Sequence, residues 1–427
     1  MLDRSVYWQG FEMPAGGSGT DMFRNFSNKR TMTLNTANRW QSEPSNAPVQ
    51  AALQAFVGYS SVGGDGVDRV FSCGGGPAVL TDVTIPFPTK GEAWEFNIET
   101  GTHTLLPGTM NESRSFHNVV RLQDGRFMVI GGAQGPYGSA GSYYTKILNS
   151  CEIYDPATGT WTLTAPMNKH RGGSNAVVLA DGRVLVAGGS EGNSNNNLGD
   201  VSDLLGTALK TSEIYDPSTD TWIWGPNMPE PKAGAMSAVL PNGNWMVAGG
   251  ITHITLFGLA IPDFSDNISI YNPANNSFSG GGTMKEKRAL GAMTVMGNGQ
   301  VFIAGGGGGD ILNIGPISDT EIYNPGNNST TRKANLTNES AFGVAVTLPN
   351  GTAMVVGGAN GTLDDPLPIS NCWVYNPGSD SLTSVASMPE SHAGGVVILL
   401  EDGTVHISGG ETNNGSATHV SRSFSAN

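Results

Sequence analysis

A short apolar strand ending in two adjacent glycines recurs seven times along this chain. The copies are VFSCGGG (70–76), FMVIGG (127–132), VLVAGG (184–189), WMVAGG (245–250), VFIAGG (301–306), AMVVGG (353–358) and VHISGG (405–410). The second glycines of the last six pairs stand at 132, 189, 250, 306, 358 and 410, so the steps are 57, 61, 56, 52 and 52 residues. A long repeat of this kind restricts the chain to a stack or ring of small units. No such unit buries both of its faces alone; its neighbours must cover them.

The content of each unit is legible. A two-residue hairpin signal precedes every glycine-ended strand: Asp65-Gly66, Asp124-Gly125, Asp181-Gly182, Asn242-Gly243, Asn298-Gly299, Asn350-Gly351 and Asp402-Gly403. Such dipeptides adopt the positive φ angles whose twist matches paired strands. Ahead of the hairpins run apolar segments such as HNVVRL (117–122), NAVVLA (175–180) and GVVILL (395–400), which read as strands buried on both faces. After a variable loop comes a third strand closing in a turn: EIYDP (152–156), EIYDP (213–217), SIYNP (269–273), EIYNP (321–325) and WVYNP (373–377). Asp or Asn before Pro starts a tight turn. Seven residues after each Tyr stands Trp161, Trp222, Phe278, Thr330 or Leu382, opening a fourth strand toward Met167, Met228, Met284, Leu336 or Met388. Four antiparallel strands per unit, repeated in a ring, make an all-β propeller.

The glycine pair, the Tyr-Asp/Asn-Pro turn, the Trp that follows it and the later Met together resemble kelch repeats, over roughly residues 31–425. The resemblance implies a kelch-like β-propeller, and seven glycine-ended strands imply seven four-stranded antiparallel blades. Ring closure needs both chain ends, because an unclosed ring leaves an open sheet edge. The carboxy-terminal THVSRSFSAN (418–427) offers one strand, and TMTLNTANRWQSEP (31–44) offers another, with Trp40 in the Trp position. The expected division is an amino-terminal arm over 1–30 and a propeller over 31–427. The arm carries Tyr7, Trp8, Phe11, Phe23 and Phe26.

Composition narrows the function. Asp and Glu number 36 against 22 Lys and Arg, a formal charge of −14, which argues against nucleic acid or an anionic membrane as the main partner. No apolar stretch reaches the ~20 residues of a membrane span. The amino terminus MLDRSVYWQGF has an early acid and no apolar run of a secretory signal. Cys73, Cys151 and Cys372 are too few for a disulfide framework and lack zinc-ligand spacing, so they read as buried thiols. Neither a cofactor nor a metal is expected.

The kelch resemblance also brings in copper-radical oxidases similar to galactose oxidase, whose chemistry needs two Tyr, two His and a Cys cross-linked to one Tyr. The segments leading into the first strands contain no Tyr at such positions: SRSFHNV (113–119), HRGGSNA (170–176), KAGAMSA (232–238), RALGAMT (288–294), SAFGVAV (340–346) and HAGGVVI (392–398). Copper-radical catalysis is therefore not expected, and the chain reads as a non-enzyme.

Aligning those segments puts Arg114, Arg171, Lys232 and Arg288 in one column, completed by Ser340 and His392. Cations gathered near a propeller mouth could bind an anion such as an acidic sugar, as in a lectin or a kelch-type sialic acid mutarotase. The competing reading has them bonding backbone carbonyls between blades. The loops after the glycine pairs carry most of the length variation, and several are apolar, which points to a protein partner. The candidate contact residues are Ile254, Leu256, Phe257, Leu259, Ile261, Leu312, Ile314, Tyr143 and Tyr144. The leading expectation is a non-catalytic recognition module of a larger assembly, with a virus particle as one setting suggested by composition. A sugar-directed protein is the alternative.

Overall fold

The computed structural model of the chain describes residues 11–12, 39–42, 55–60, 68–76, 89–138, 144–198, 207–256, 259–309, 314–362, 366–399, 403–411 and 421–425. Among these residues there is no helix, and the regular structure is all strand. Six four-stranded antiparallel sheets and one sheet with a fifth strand carry the repeat. In the third sheet the order is Asn175–Val178, Val184–Ala187, Ser212–Asp216, Thr221–Trp224. Register follows from the repeat, with Val184 opposite Tyr215 and Tyr215 opposite Trp222.

The second strand of each sheet is the most buried, since it has strands on both sides and sheets on both faces. Val184–Ala187, Val301–Ala304 and Ala353–Val356 are buried at every position. Apolar clusters fill every joint between consecutive sheets. One joins Val177, Leu185 and Ala187 of the third sheet to Trp245, Val247 and Tyr271 of the fourth. The cluster of Phe56, Val70, Phe96 and Ile398 joins the first sheet to the last.

Both chain ends close the ring. In the last sheet the order is Val396–Leu399, Thr404–Ser408, Ser421–Ser425, Arg39–Ser42, so the amino-terminal strand is outermost and Trp40 pairs with Phe424. Of the proposed arm over 1–30, only Phe11–Glu12 belongs to the described residues. It pairs in parallel with Asn175–Val178, the innermost strand of the third sheet.

The Tyr-Asp/Asn-Pro turns share one local device. Five residues after the Tyr, Asp220, Asn276, Asn328 and Asp380 adopt positive φ of 49–55°. Each accepts a hydrogen bond from that tyrosine's hydroxyl: Tyr215 at 2.9 Å, Tyr271 at 2.9 Å, Tyr323 at 2.8 Å and Tyr375 at 2.6 Å. Asn and Asp tolerate this backbone region better than other side-chain-bearing residues. In the second sheet Gly159 takes the place, at φ +69°.

Candidate functional site

The cationic column is buried. Arg114, Arg171 and Arg288 are 0% exposed, and Lys232, Ser340 and His392 are 1% exposed. One rule relates all six: each side chain bonds the carbonyl of the first glycine of its own pair, 17 residues on. Arg114 Nη1 donates to Gly131 O (2.9 Å), Arg171 Nη1 to Gly188 O (2.7 Å), Lys232 Nζ to Gly249 O (3.1 Å) and Arg288 Nη1 to Gly305 O (2.7 Å). Ser340 Oγ donates to Gly357 O at 2.8 Å, and His392 Nδ1 lies 2.6 Å from Gly409 O.

The backbone of the column runs the joint in the other direction. The second glycine of each pair donates its N–H to the column residue of the next sheet: Gly132 to Arg171 O, Gly189 to Lys232 O, Gly250 to Arg288 O, Gly306 to Ser340 O and Gly358 to His392 O, all at 2.8 Å. This close approach explains why the pair must be glycine. Both members have positive φ, 57° and 97° for Gly131 and Gly132. A Cβ on Gly131 would stand 2.5 Å from Arg171 O. Two residues beyond the column, Phe116, Gly173, Gly234, Leu290, Phe342 and Gly394 all have positive φ. They form an arc of backbone bonds, Gly173 N to Phe116 O, then Gly234 to Gly173, Leu290 to Gly234, Phe342 to Leu290 and Gly394 to Phe342.

Three column arginines meet a buried carboxylate from the third strand of their own sheet. Arg114 pairs with Glu152 (2.7 Å), Arg171 with Glu213 (3.0 Å) and Arg288 with Glu321 (2.7 Å). The same carboxylates accept backbone N–H groups of the connection from the preceding sheet: Asn111 and Glu112 on Glu152, Asn168 and Lys169 on Glu213, Lys285 and Glu286 on Glu321. A buried charge needs both a partner and satisfied hydrogen bonds; each of these has the partner, and of the three guanidiniums Arg288 keeps one nitrogen, Nε, buried without a hydrogen bond. Where the column lacks Arg, the third strand lacks Glu. Lys232 faces a strand with Ser269 and takes Glu230 instead (3.1 Å). In the sheet of Ser340, Trp373 donates to Thr337 Oγ1 of the connection at 2.9 Å. This matching was missed in the sequence, although the Glu of each EIYDP motif was visible.

Burial sets the protonation of the joints. It draws Lys232 down to about 8, opposed by Glu230. It also lowers Arg171 and Arg288 against the pull of Glu213 and Glu321. Burial raises the Cys73 thiol and pushes Cys151 up to about 12, so neither is poised as a nucleophile. His117, with Nε2 3.5 Å from Cys73 Sγ, is held well below the usual histidine value by burial and by Arg114.

The variable segments add a second tier. Ile251–Leu256 and Leu259–Phe264 form a hairpin with Ile254 opposite Ile261 and Leu256 opposite Leu259. Phe257, Leu312 and Tyr143 lie outside the described residues. Ile314 and Phe342 pack against a cluster of Ala208, Ala233, Ile251, Phe264, Ala289 and Leu290, which brings segments of several sheets together. Tyr144 is half-buried on the hairpin from Ala133–Tyr137 to Tyr144–Ile147, its ring stacked 5.7 Å from Tyr137.

Models of the Kelch motif match residues 115–168 and 171–229, the second and third sheets. The chain is a kelch-repeat propeller. The propeller is 32% identical over 109 residues to Kelch-like protein terF of Aspergillus terreus, a match covering 25% of this chain and 22% of that protein. It is 22% identical over 284 residues to galactose oxidase of Gibberella zeae, covering 60% of this chain and 38% of that one. The chain thus spans well under half the length of these curated relatives. In fold it is similar to a fungal alcohol oxidase solved in complex with copper, at TM-score 0.61 and 19% identity, over 91% of this chain and 76% of that one.

Among the described residues, the column and the repeat tyrosines do not fit a copper centre of tyrosines and histidines. The column carries one imidazole, bound to a carbonyl, and the repeat tyrosines Tyr215, Tyr271, Tyr323 and Tyr375 are buried with their hydroxyls on turn residues. Among the described residues, no three His, Cys, Asp or Glu side chains are grouped to hold a metal. Nor is any described helix long and apolar enough to cross a membrane.

Proposed function

We propose that this kelch propeller is a non-catalytic recognition module that holds a protein partner on the face built by its variable segments. One observation carries the reading. The recurring cations of the repeat are consumed inside the joints, while the segments that differ between repeats form extra hairpins. Kelch repeats also occur in a Kelch repeat and BTB domain-containing protein of Danio rerio, 30% identical to this chain over 139 residues. Nothing among the fungal and animal relatives favours a virus particle. Hydroxyl-radical footprinting of the protein in its source material, against the purified chain, tests it. Protection concentrated in 251–264, 314–317 and 359–368 is expected; equal labelling of these segments in both states overturns the proposal.

An acidic sugar at the column is the alternative. It would need Arg171 and Arg288 donors that now bond Gly188, Thr211, Gly305 and Asp319 carbonyls. Calorimetry with N-acetylneuraminic acid distinguishes the two: saturable binding to the wild-type chain would favour the sugar.

A further inference from the structure

One repeat tyrosine has lost its acceptor. Tyr215, Tyr271, Tyr323 and Tyr375 donate to an Asp or Asn five residues on, but five residues after Tyr154 stands Gly159, which has no side chain to accept. A cavity of about 280 Å³ lies beside that tyrosine, between the first and second sheets. Phe127 and Tyr154, 0% and 1% exposed, form its buried wall, and Leu106, Pro107 and Pro156 add apolar surface. Among the described lining residues Glu95 alone is charged, and its pairing with Arg69 at 2.9 Å fixes it in the wall. We propose that this cavity binds a small neutral molecule carrying a carboxamide on an apolar, ring-sized body, with the carbonyl accepting from Tyr154 Oη.

The repeat itself supplies the template. In the fourth and fifth sheets the tyrosine's acceptor is the carboxamide oxygen of Asn276 or Asn328. In the third and sixth it is a carboxylate, and each of these sheets has the means to hold one. Asp220 also accepts Ala165 N at 2.9 Å, and Asp380 is paired with Lys333 at 2.9 Å. The second sheet offers neither. Leu106 N donates to Ala93 O as Thr164 N does to Cys151 O, so Pro107 stands where Ala165 stands, and proline has no N–H.

Charge selects in the same direction. Burial first, then Glu95 and Asp155, raise the Tyr154 phenol above its ordinary value, so Oη keeps its proton and remains a donor. A carboxylate ligand would meet that negative charge with no cation in the wall, whereas a neutral carbonyl does not. The N–H side of a carboxamide suits the Glu95 carboxylate, which only accepts. A second donor beside Tyr154 is also unmet. Trp222 Nε1 donates to Ala165 O at 2.9 Å, whereas Trp161, its ring 5.0 Å from that of Tyr154, keeps Nε1 buried without a partner. Both unmet groups are donors, so what this joint lacks is an acceptor.

Benzamide and benzoate, which share a body and differ in charge, are the probes, with binding to the full chain followed by saturation-transfer difference NMR. A probe of this size corresponds to a Kd of about 10 mM. Benzamide is expected at or below that value, and benzoate at least about fivefold weaker. Tyr154→Phe keeps the cavity and removes the donor, and it should weaken benzamide about threefold to tenfold. Gly159→Asn restores the residue type that the fourth and fifth sheets use, at a positive φ that Asn tolerates, and should abolish binding. A Cβ there would press on the Pro107 ring, so Tyr154→Phe carries the test where that variant folds poorly. Absence of benzamide binding, equal binding of benzoate, or unchanged affinity in Tyr154→Phe overturns the proposal. A failed footprint on the variable segments would leave this result standing, since the two concern different residues.

Discussion

Single residues in the joints have separable roles. Glu213 neutralises Arg171 and also accepts two backbone N–H groups, so Glu213→Ala strands a buried guanidinium. The expected cost is about 3–5 kcal/mol by denaturant titration, with much of it recovered in Arg171→Met, Glu213→Leu, because removing both charges removes the stranded one. Glycines separate backbone strain from packing. Gly243 and Gly188 have φ of +82° and +72°, but a Cβ meets nothing within 4 Å at Gly243, whereas at Gly188 it would press on Lys232 O. Gly243→Ala should therefore cost about 1–2 kcal/mol, the conformational penalty alone, and Gly188→Ala clearly more. Lys232 makes a pH prediction. Its folded-state value of about 8 lies below the ordinary 10.5, so between these values the unfolded chain binds more protons. Lys232 should then add stability from about pH 8 upward, while the buried thiols of Cys73 and Cys151, raised above the ordinary 9.0, withdraw it above about pH 9. Above about pH 10 the loss steepens, because burial raises Tyr154, Tyr271 and Tyr323 and the folded chain keeps protons the unfolded one loses. The Lys232 contribution is therefore read as the difference between the wild type and Lys232→Met, which should grow between about pH 8 and pH 10. A difference that stays constant over that range would refute the assignment.

Elements show what the sequence could and could not announce. Strands, hairpins and the closing role of 31–44 were legible because each is encoded locally, by alternation, Asn-Gly or Asp-Gly and the Tyr to Trp spacing. Trp40 fell in the expected row and pairs with Phe424. The Arg–Glu pairs were not legible: Arg171 and Glu213 are 42 residues apart and meet only once three strands are in register. That the column donors bond backbone carbonyls was a reading the sequence already offered, and the donors do turn to carbonyls; their acidic partners were the part it did not offer. The hairpin from Ile251 to Phe264 was equally silent, since Phe257-Gly258 is no strong turn signal and apolar character alone does not distinguish a plug from a docking loop. The Tyr clamp yields an element-scale prediction. Asp220 accepts from Tyr215 Oη and from Ala165 N of the preceding sheet, each at 2.9 Å, while holding φ +52°. Asp220→Asn, the residue used at 276 and 328, should be nearly neutral in thermal melts. Asp220→Ala should cost about 1–3 kcal/mol, combining lost hydrogen bonds with the backbone penalty.

At the scale of the molecule, stability depends on closure, because each sheet relies on two neighbours and the last shares its joint with the first. The strand Arg39–Ser42 is the outer edge of that last sheet, and it covers Ser421–Ser425, whose Phe424 is 1% exposed. Deleting residues 1–44 should expose that edge and uncover part of the joint, giving a lower melting temperature and self-association visible by light scattering. Deleting 1–30 tests the proposed boundary of the arm: among described contacts it removes those of Phe11–Glu12 with Asn175–Val178 and with Asn118–Arg121, and the melting temperature should move by no more than about 2 °C. If closure is the cause, a peptide of residues 31–44 added to the shorter chain should restore the melting temperature, because strand addition replaces the same backbone bonds in trans. A truncated chain that stays monomeric and melts like the full one would show that the ring holds without its terminal strand.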